Sequence, residues 1–203
     1  MNLDVLFNGE IDVHRLSEVL DGLGHPGRLD TIRGWSHEQQ ARLYDAVKDF
    51  KPLALSHFVP DDVEPLTEVI HWGKNSLPAF THFQKRFCKP KDAEGELWGY
   101  NDVREGPHGF ATGPGYFVLH APADRSDARE GELDIDYRKL PPSKPESWPK
   151  IIPNEARLGR FIYAGMVDVM RGVSQHVSVG RAFKDGKYMD AYFVLCREDK
   201  KAS

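Results

Sequence analysis

The sequence predicts a single α+β domain: a curved, mainly antiparallel sheet, an N-terminal helical cap, and a long C-terminal helix packed across the sheet. Three observations predict it. Asp185 and Gly186 are the dipeptide favoured by a two-residue type I′ turn, and the runs on either side are rich in β-branched and aromatic residues. Apolar residues recur at helical spacing over the first fifty positions. A second stripe of Leu158, Ile162, Met166, Val169 or Met170, and Val173 follows Asn154, a residue type suited to capping a helix.

In chain order, residues 1–50 give the helical cap. Val13, Leu16, Val19, Leu20 and Leu23 make one stripe, Leu29 and Ile32 continue it after Pro26, and Ser36 caps a third helix running to Phe50. Residues 51–138 read as mixed strands and loops. Segments 53–59 and 66–72 have strand-like composition, and 79–88 suits a short helix with Phe80, Phe83 and Phe87 inward and Gln84, Lys85 and Arg86 outward. A long loop over 89–113 is broken by the aromatic segment 97–101. Segment 116–121 is apolar on both alternations, as in a central strand. In 132–138, Leu133, Ile135 and Tyr137 alternate with Glu132, Asp134, Asp136 and Arg138, which predicts one wet face. Residues 139–153 hold five prolines and form an extended strap. Residues 154–197 give the long helix, to about Ser174, and then the hairpin, with a partial strand at 161–165 as the competing reading. The tail 198–203 is frayed. With Lys184 opposite Lys187, the hairpin pairs Phe183 with Tyr188, Arg181 with Asp190, Val179 with Tyr192 and Val177 with Val194 on one side of the pleat.

Composition excludes several function classes. Segment 24–29 resembles the opening of a helix in small winged-helix repressors, yet residues 1–50 carry nine Asp or Glu against five Lys or Arg, a balance that repels phosphates. No nucleic-acid partner is expected. Cys88 and Cys196 have no ligand spacing and read as structural thiols, and the nine histidines show no paired metal spacing, so neither a metal nor another cofactor is implied. No apolar run approaches the ~20 residues of a membrane helix, and the first residues do not form a secretory signal, so a cytoplasmic protein without a membrane span is expected.

The pattern tryptophan, glycine, any residue, asparagine occurs twice, as Trp72 to Asn75 and Trp98 to Asn101. It reads as two turns with glycine at positive φ, or as two indoles at a pocket mouth with Lys74, Asn75, Tyr100 and Asn101 as polar contacts. Arg181 beside Asp190, among Phe183, Tyr188 and Tyr192, is the preferred polar anchor, a fixed donor fork for a carboxylate or phosphate. Asp134 and Asp136 read as a solvated strand face, and Asp168 with Arg171 as a surface pair on the long helix. The function expected is a soluble binding protein for a small, partly apolar molecule held between sheet and helix. Tyr192, Tyr116 and Tyr163 would touch its body, Arg181 and Asp190 its polar end, and Trp72 and Trp98 its mouth. The alternatives are an enzyme on such a molecule, with Asp190, His176 or Asp136 as acid or base, and a protein-interaction domain using the proline strap or an aromatic patch.

Overall fold

The computed structural model describes residues 6–7, 9–77, 81–102, 114–154, 156 and 164–200, and it corrects the α+β expectation. The chain forms a closed antiparallel barrel of eight strands in sequence order: β1 (Val69–Asn75), β2 (His82–Cys88), β3 (Glu96–Asp102), β4 (Gly115–His120), β5 (Leu133–Asp136), β6 (Met166–Gly172), β7 (Val177–Lys184) and β8 (Lys187–Arg197). β8 pairs back onto β1, so no strand is left with an unpaired edge. Helices α1 (Val13–Gly22), α2 (His25–Arg33) and α3 (His37–Ala46) precede the barrel, and the one-turn α4 (Leu55–Phe58) comes just before β1. Ser36 caps α3 through a reciprocal capping box with Gln39.

The expected long C-terminal helix is not formed by the described residues of 154–174, and its positions 155 and 157–163 lie outside them. Where its stripe was read, β6 runs between β5 and β7, with Val167 and Val169 on the outer face and Asp168 and Met170 on the inner one. Both faces of β6 are covered, so its residues lack the polar–apolar alternation that marks a half-exposed strand. Of the helix expected at 79–88, residues 79 and 80 lie outside the described residues, and His82–Cys88 is β2 for the same kind of reason. Phe83, Lys85 and Phe87 point inward at a period of two, and a lysine among them hides the alternation. Segment 53–59, strand-like in composition, instead carries α4.

The registers sort the strands into two sets of side chains. Phe83, Phe87, Leu97, Phe117, Leu119, Leu133, Ile135, Tyr137, Met170, Phe193 and Leu195 form the interior core, joined by Leu53, Phe58 and Val59 from the segment that plugs one end. An eight-stranded barrel is just wide enough for its own side chains to fill. Three glycines make that filling possible. Gly73, Gly99 and Gly180 stand directly opposite Phe83, Phe117 and Phe193, and a Cβ on them would lie 2.5, 2.3 and 2.3 Å from those rings. Each phenylalanine therefore lies over the bare backbone of the next strand.

Two separate covers bury the outer faces. α2 and α3 lie against β7 and β8, where Val177, Val179, Tyr192, Val194 and Cys196 meet Leu16, Leu20, Ile32 and Leu43. The proline strap covers β3 and β4: Trp148 packs against Tyr100 and Tyr116, with ring centroids 4.9 and 6.3 Å away. The face of β5 expected to be wet is also buried. Asp134 is held there by Arg125 and Asp136 by Arg138.

Candidate functional site

Among the described residues, hydrogen-bonded polar side chains cluster at two places in the interior. At the plug end His71 lies on Phe58, centroids 5.3 Å apart, and its Nε2 donates to the Phe58 carbonyl at 3.0 Å. Arg197, inward-facing opposite His71, donates to the carbonyls of Ser56 and His57. A four-residue helix leaves its last carbonyls without partners of its own, and these two side chains supply them.

The second place lies toward the opposite end, where Tyr137 follows β5 and Asp168 stands near the start of β6. Lys85 Nζ donates to Asn101 Oδ1 at 2.9 Å, to Asp168 Oδ2 at 3.1 Å and to the Tyr137 hydroxyl. Asn101 Nδ2 also donates to that hydroxyl, at 2.7 Å, and the hydroxyl donates to Asp168 Oδ2 at 3.2 Å. Strands β2, β3 and β6, with the residue after β5, each contribute one member. Inward facing follows from the registers: Lys85 is opposite Asn101, and Asp168 is opposite Ile135.

The environment is aromatic. The ammonium lies 5.6, 5.3, 5.0 and 4.8 Å from the ring centroids of Phe83, Phe117, Tyr137 and Phe193, all within range of a cation–π attraction. Lys85 is only 2% exposed. Burial lowers its pKa from the ordinary lysine value, and the Asp168 carboxylate partly opposes that shift. A protonated lysine has three donors, and the three partners just named occupy them. The arrangement can hold a charge pair out of water, exchange a proton between amine and carboxylate, and present aromatic surface to an apolar group.

The residues expected at a site are distributed elsewhere. The hairpin turns where its sequence predicts, with Asp185 at φ 51° and Gly186 at φ 78°, and Phe183 faces Tyr188. The ladder then slips. Between the paired positions Phe183–Tyr188 and Arg181–Tyr192, β7 has one residue and β8 has three. Arg181 thus faces Tyr192, not Asp190, Val179 faces Val194, and Val177 faces Cys196. This side of the hairpin faces outward, against the helical cap rather than an enclosed hollow.

Arg181 donates to the Met189 carbonyl at 2.9 Å and lies 5.0 Å from the rings of both Tyr188 and Tyr192. Asp190 is exposed and pairs with His37 of α3 at 3.1 Å. Tyr192 is buried under α3 between His37 and Tyr44. Tyr116 and Trp98 lie under the proline strap, where the Tyr116 hydroxyl donates to the Pro149 carbonyl and Trp98 Nε1 to Glu96 at 2.8 Å. Trp72 is on the outer face of β1, 5.8 Å from the Arg33 guanidinium, and Lys74 and Asn75 follow it to the strand end. Tyr163 lies outside the described residues.

The repeated tryptophan–glycine motif is no pair of turns. Both copies are strands, and both use it alike: tryptophan outward, glycine inward beneath a phenylalanine, asparagine inward near the same end of the barrel. The three acid–base candidates stand apart. Asp190 is beside His37, His176 Nδ1 is 3.4 Å from Asp199, and Asp136 is held by Arg138 at 2.8 Å and by His120. Burial alone would raise the Asp136 pKa, but hydrogen bonds from His120 and Arg138 hold it well below the carboxylate range.

Of the inner quartet, Asn101 stood out in the sequence only through its motif, and Tyr137 only as an apolar-side strand residue. Asp168 and Arg171 are not a surface pair: Asp168 points inward, while Arg171 binds Glu132 at 2.9 Å on the outside. The one available signal was a period of two through Phe83, Lys85 and Phe87. Two outer clefts, of about 360 Å³ beside Arg171 and about 900 Å³ beside Arg197, are not lined by Lys85. Among the described residues no group of three or more His, Cys, Asp or Glu is placed to hold a metal ion, and no helix is long and apolar enough to cross a membrane. Compared with known proteins, the chain matches no family model, no curated protein and no solved structure.

Proposed function

We propose that this protein binds a small, largely apolar molecule inside the barrel, with Lys85, Asp168, Tyr137 and Asn101 as its polar contact. The observation that carries the reading is a lysine–carboxylate pair enclosed by four aromatic rings. Filling the same space with aliphatic side chains would avoid the cost of removing two ions from water, which runs to several kcal/mol for each. A pair retained there has a use that packing alone does not supply.

The pair also selects the ligand. Its charges cancel, so a free anion or cation would add an uncompensated buried charge, whereas a neutral carbonyl or hydroxyl oxygen would not. Asn101, the neutral partner of Lys85, is the group that yields its place to such an oxygen. Phe83, Phe117 and Phe193, whose rings surround the Lys85 ammonium, are the apolar surface such a molecule would meet.

A thermal-shift screen combined with native mass spectrometry tests this. Neutral alcohols and ketones of six to ten carbons should raise the melting temperature and be retained, and the matching carboxylates should do so less. A ligand at a hundred times its Kd stabilises by about 2.7 kcal/mol, which such a screen resolves. No stabilisation by any neutral compound at millimolar concentration would overturn the reading.

A further inference from the structure

We propose that the Lys85 amine captures an aldehyde or ketone covalently, as an imine. The inference rests on the preceding reading of this site as the ligand site, and it adds the ligand's reactive group.

The hydrogen-bond inventory points this way. While protonated, Lys85 has its three donors engaged by Asn101, Tyr137 and Asp168, and no lone pair. Its partner at 3.1 Å is a carboxylate, which can take the proton directly. That transfer turns an ion pair into two neutral groups and creates no buried charge. The amine that results has a lone pair and two donors. Burial works in the same direction, since it lowers the pKa of this lysine.

The chemistry balances with the groups present. Lys85 gives a proton to Asp168, and the amine nitrogen forms a bond to the carbonyl carbon as the carbonyl π pair moves to oxygen. That oxygen takes one proton and the nitrogen loses one, giving a neutral carbinolamine. Tyr137, hydrogen-bonded to both Lys85 and Asp168, can pass the Asp168 proton to the hydroxyl. The carbon–oxygen bond then breaks, water leaves, and the remaining nitrogen proton passes to the Asp168 carboxylate, giving the neutral imine. Overall one carbonyl compound and one amine give one imine and one water, with no oxidant or reductant. The surrounding rings shield the product from hydrolysis.

The test treats the intact protein at pH 7 with hexanal or benzaldehyde and cyanoborohydride, then maps the modified peptides by mass. A trapped imine adds the aldehyde's mass less one oxygen. Lys85 should be labelled at least tenfold faster than the exposed Lys91 and Lys187. Labelling of Lys85 no faster than those two overturns the proposal. Hexanol and benzyl alcohol, which match the two aldehydes in size but form no imine, are run alongside by thermal shift. Stabilisation by the alcohols without labelling removes the imine and leaves the ligand site standing; absence of both removes both. No substitution is needed, so loss of folding cannot obscure the outcome.

Discussion

The two polar regions of the barrel interior differ in what their hydrogen bonds serve. At the plug end, His71 and Arg197 bond to backbone carbonyls of 56–58, so their polarity is explained by the segment that closes the barrel. At the other end, the side chains of Lys85, Asn101, Tyr137 and Asp168 bond to one another. A buried polar group that satisfies the fold is structure. A buried side-chain network that displaces the pKa of its lysine is a candidate for chemistry.

The contrast is most sharply tested by breaking the charge pair. Lys85→Met leaves Asp168 buried without its counter-ion and should cost about 3–5 kcal/mol in urea unfolding. Adding Asp168→Leu should recover most of that loss. If the double variant is no better than the single one, the quartet is needed for the fold and the distinction between the two ends fails.

Acid should act on the plug end. Burial pushes His71 down to about 3, and burial together with nearby His71 and Arg197 holds His57 well below its usual value. In the unfolded chain both take up protons near ~6.5. The unfolded state therefore binds more protons below that pH, and stability should fall by a few kcal/mol as pH drops from about 6.5 toward 3. His120 works in the opposite sense, because its bond to Asp136 raises its pKa. Its contribution is present below its unfolded value and is lost as pH rises through the folded one. Unfolding midpoints at pH 7, 5.5 and 4.5 check the net sign, and His71→Gln should flatten the slope.

Smaller effects are expected from single atoms. Gly99→Ala puts a methyl group 2.3 Å from the Phe117 ring and should cost about 1–3 kcal/mol, with partial rescue by Phe117→Leu. Equal stability of the wild-type and Gly99→Ala proteins would mean that the rings do not need the bare backbone. Asp190→Asn should be the mildest change. It removes an exposed pair with His37 and should alter the unfolding midpoint by under ~1 kcal/mol. A larger loss would restore Asp190 as an anchor.

How far the sequence can be read depends on whether a signal is local. Helix starts and the hairpin turn are set by backbone geometry and nearby caps, so Ser36 and the Asp185–Gly186 dipeptide were legible. The strands at 116–121 and 132–138 were also legible, the first from apolar residues on both alternations and the second from a period of two. The face of each strand was not. Helices cover the outside of β7 and β8 and the strap covers β3 and β4, so outward residues there are as apolar as inward ones. The slip between Phe183 and Arg181 was equally invisible, because it depends on neighbours across the sheet.

The sequence by itself determined the three N-terminal helices, the type I′ turn, the proline strap and the abundance of strand-forming segments, since each follows from dihedral preference, capping or composition within a few residues. Tertiary structure alone decided that β8 returns to β1, that 166–172 is a strand, and that Lys85 points inward to meet Asp168, eighty-three positions away in the chain. The physical reason is closure. Joining the two ends of the sheet divides its residues into inside and outside, and a lysine acquires its carboxylate and its aromatic walls only once that division is made.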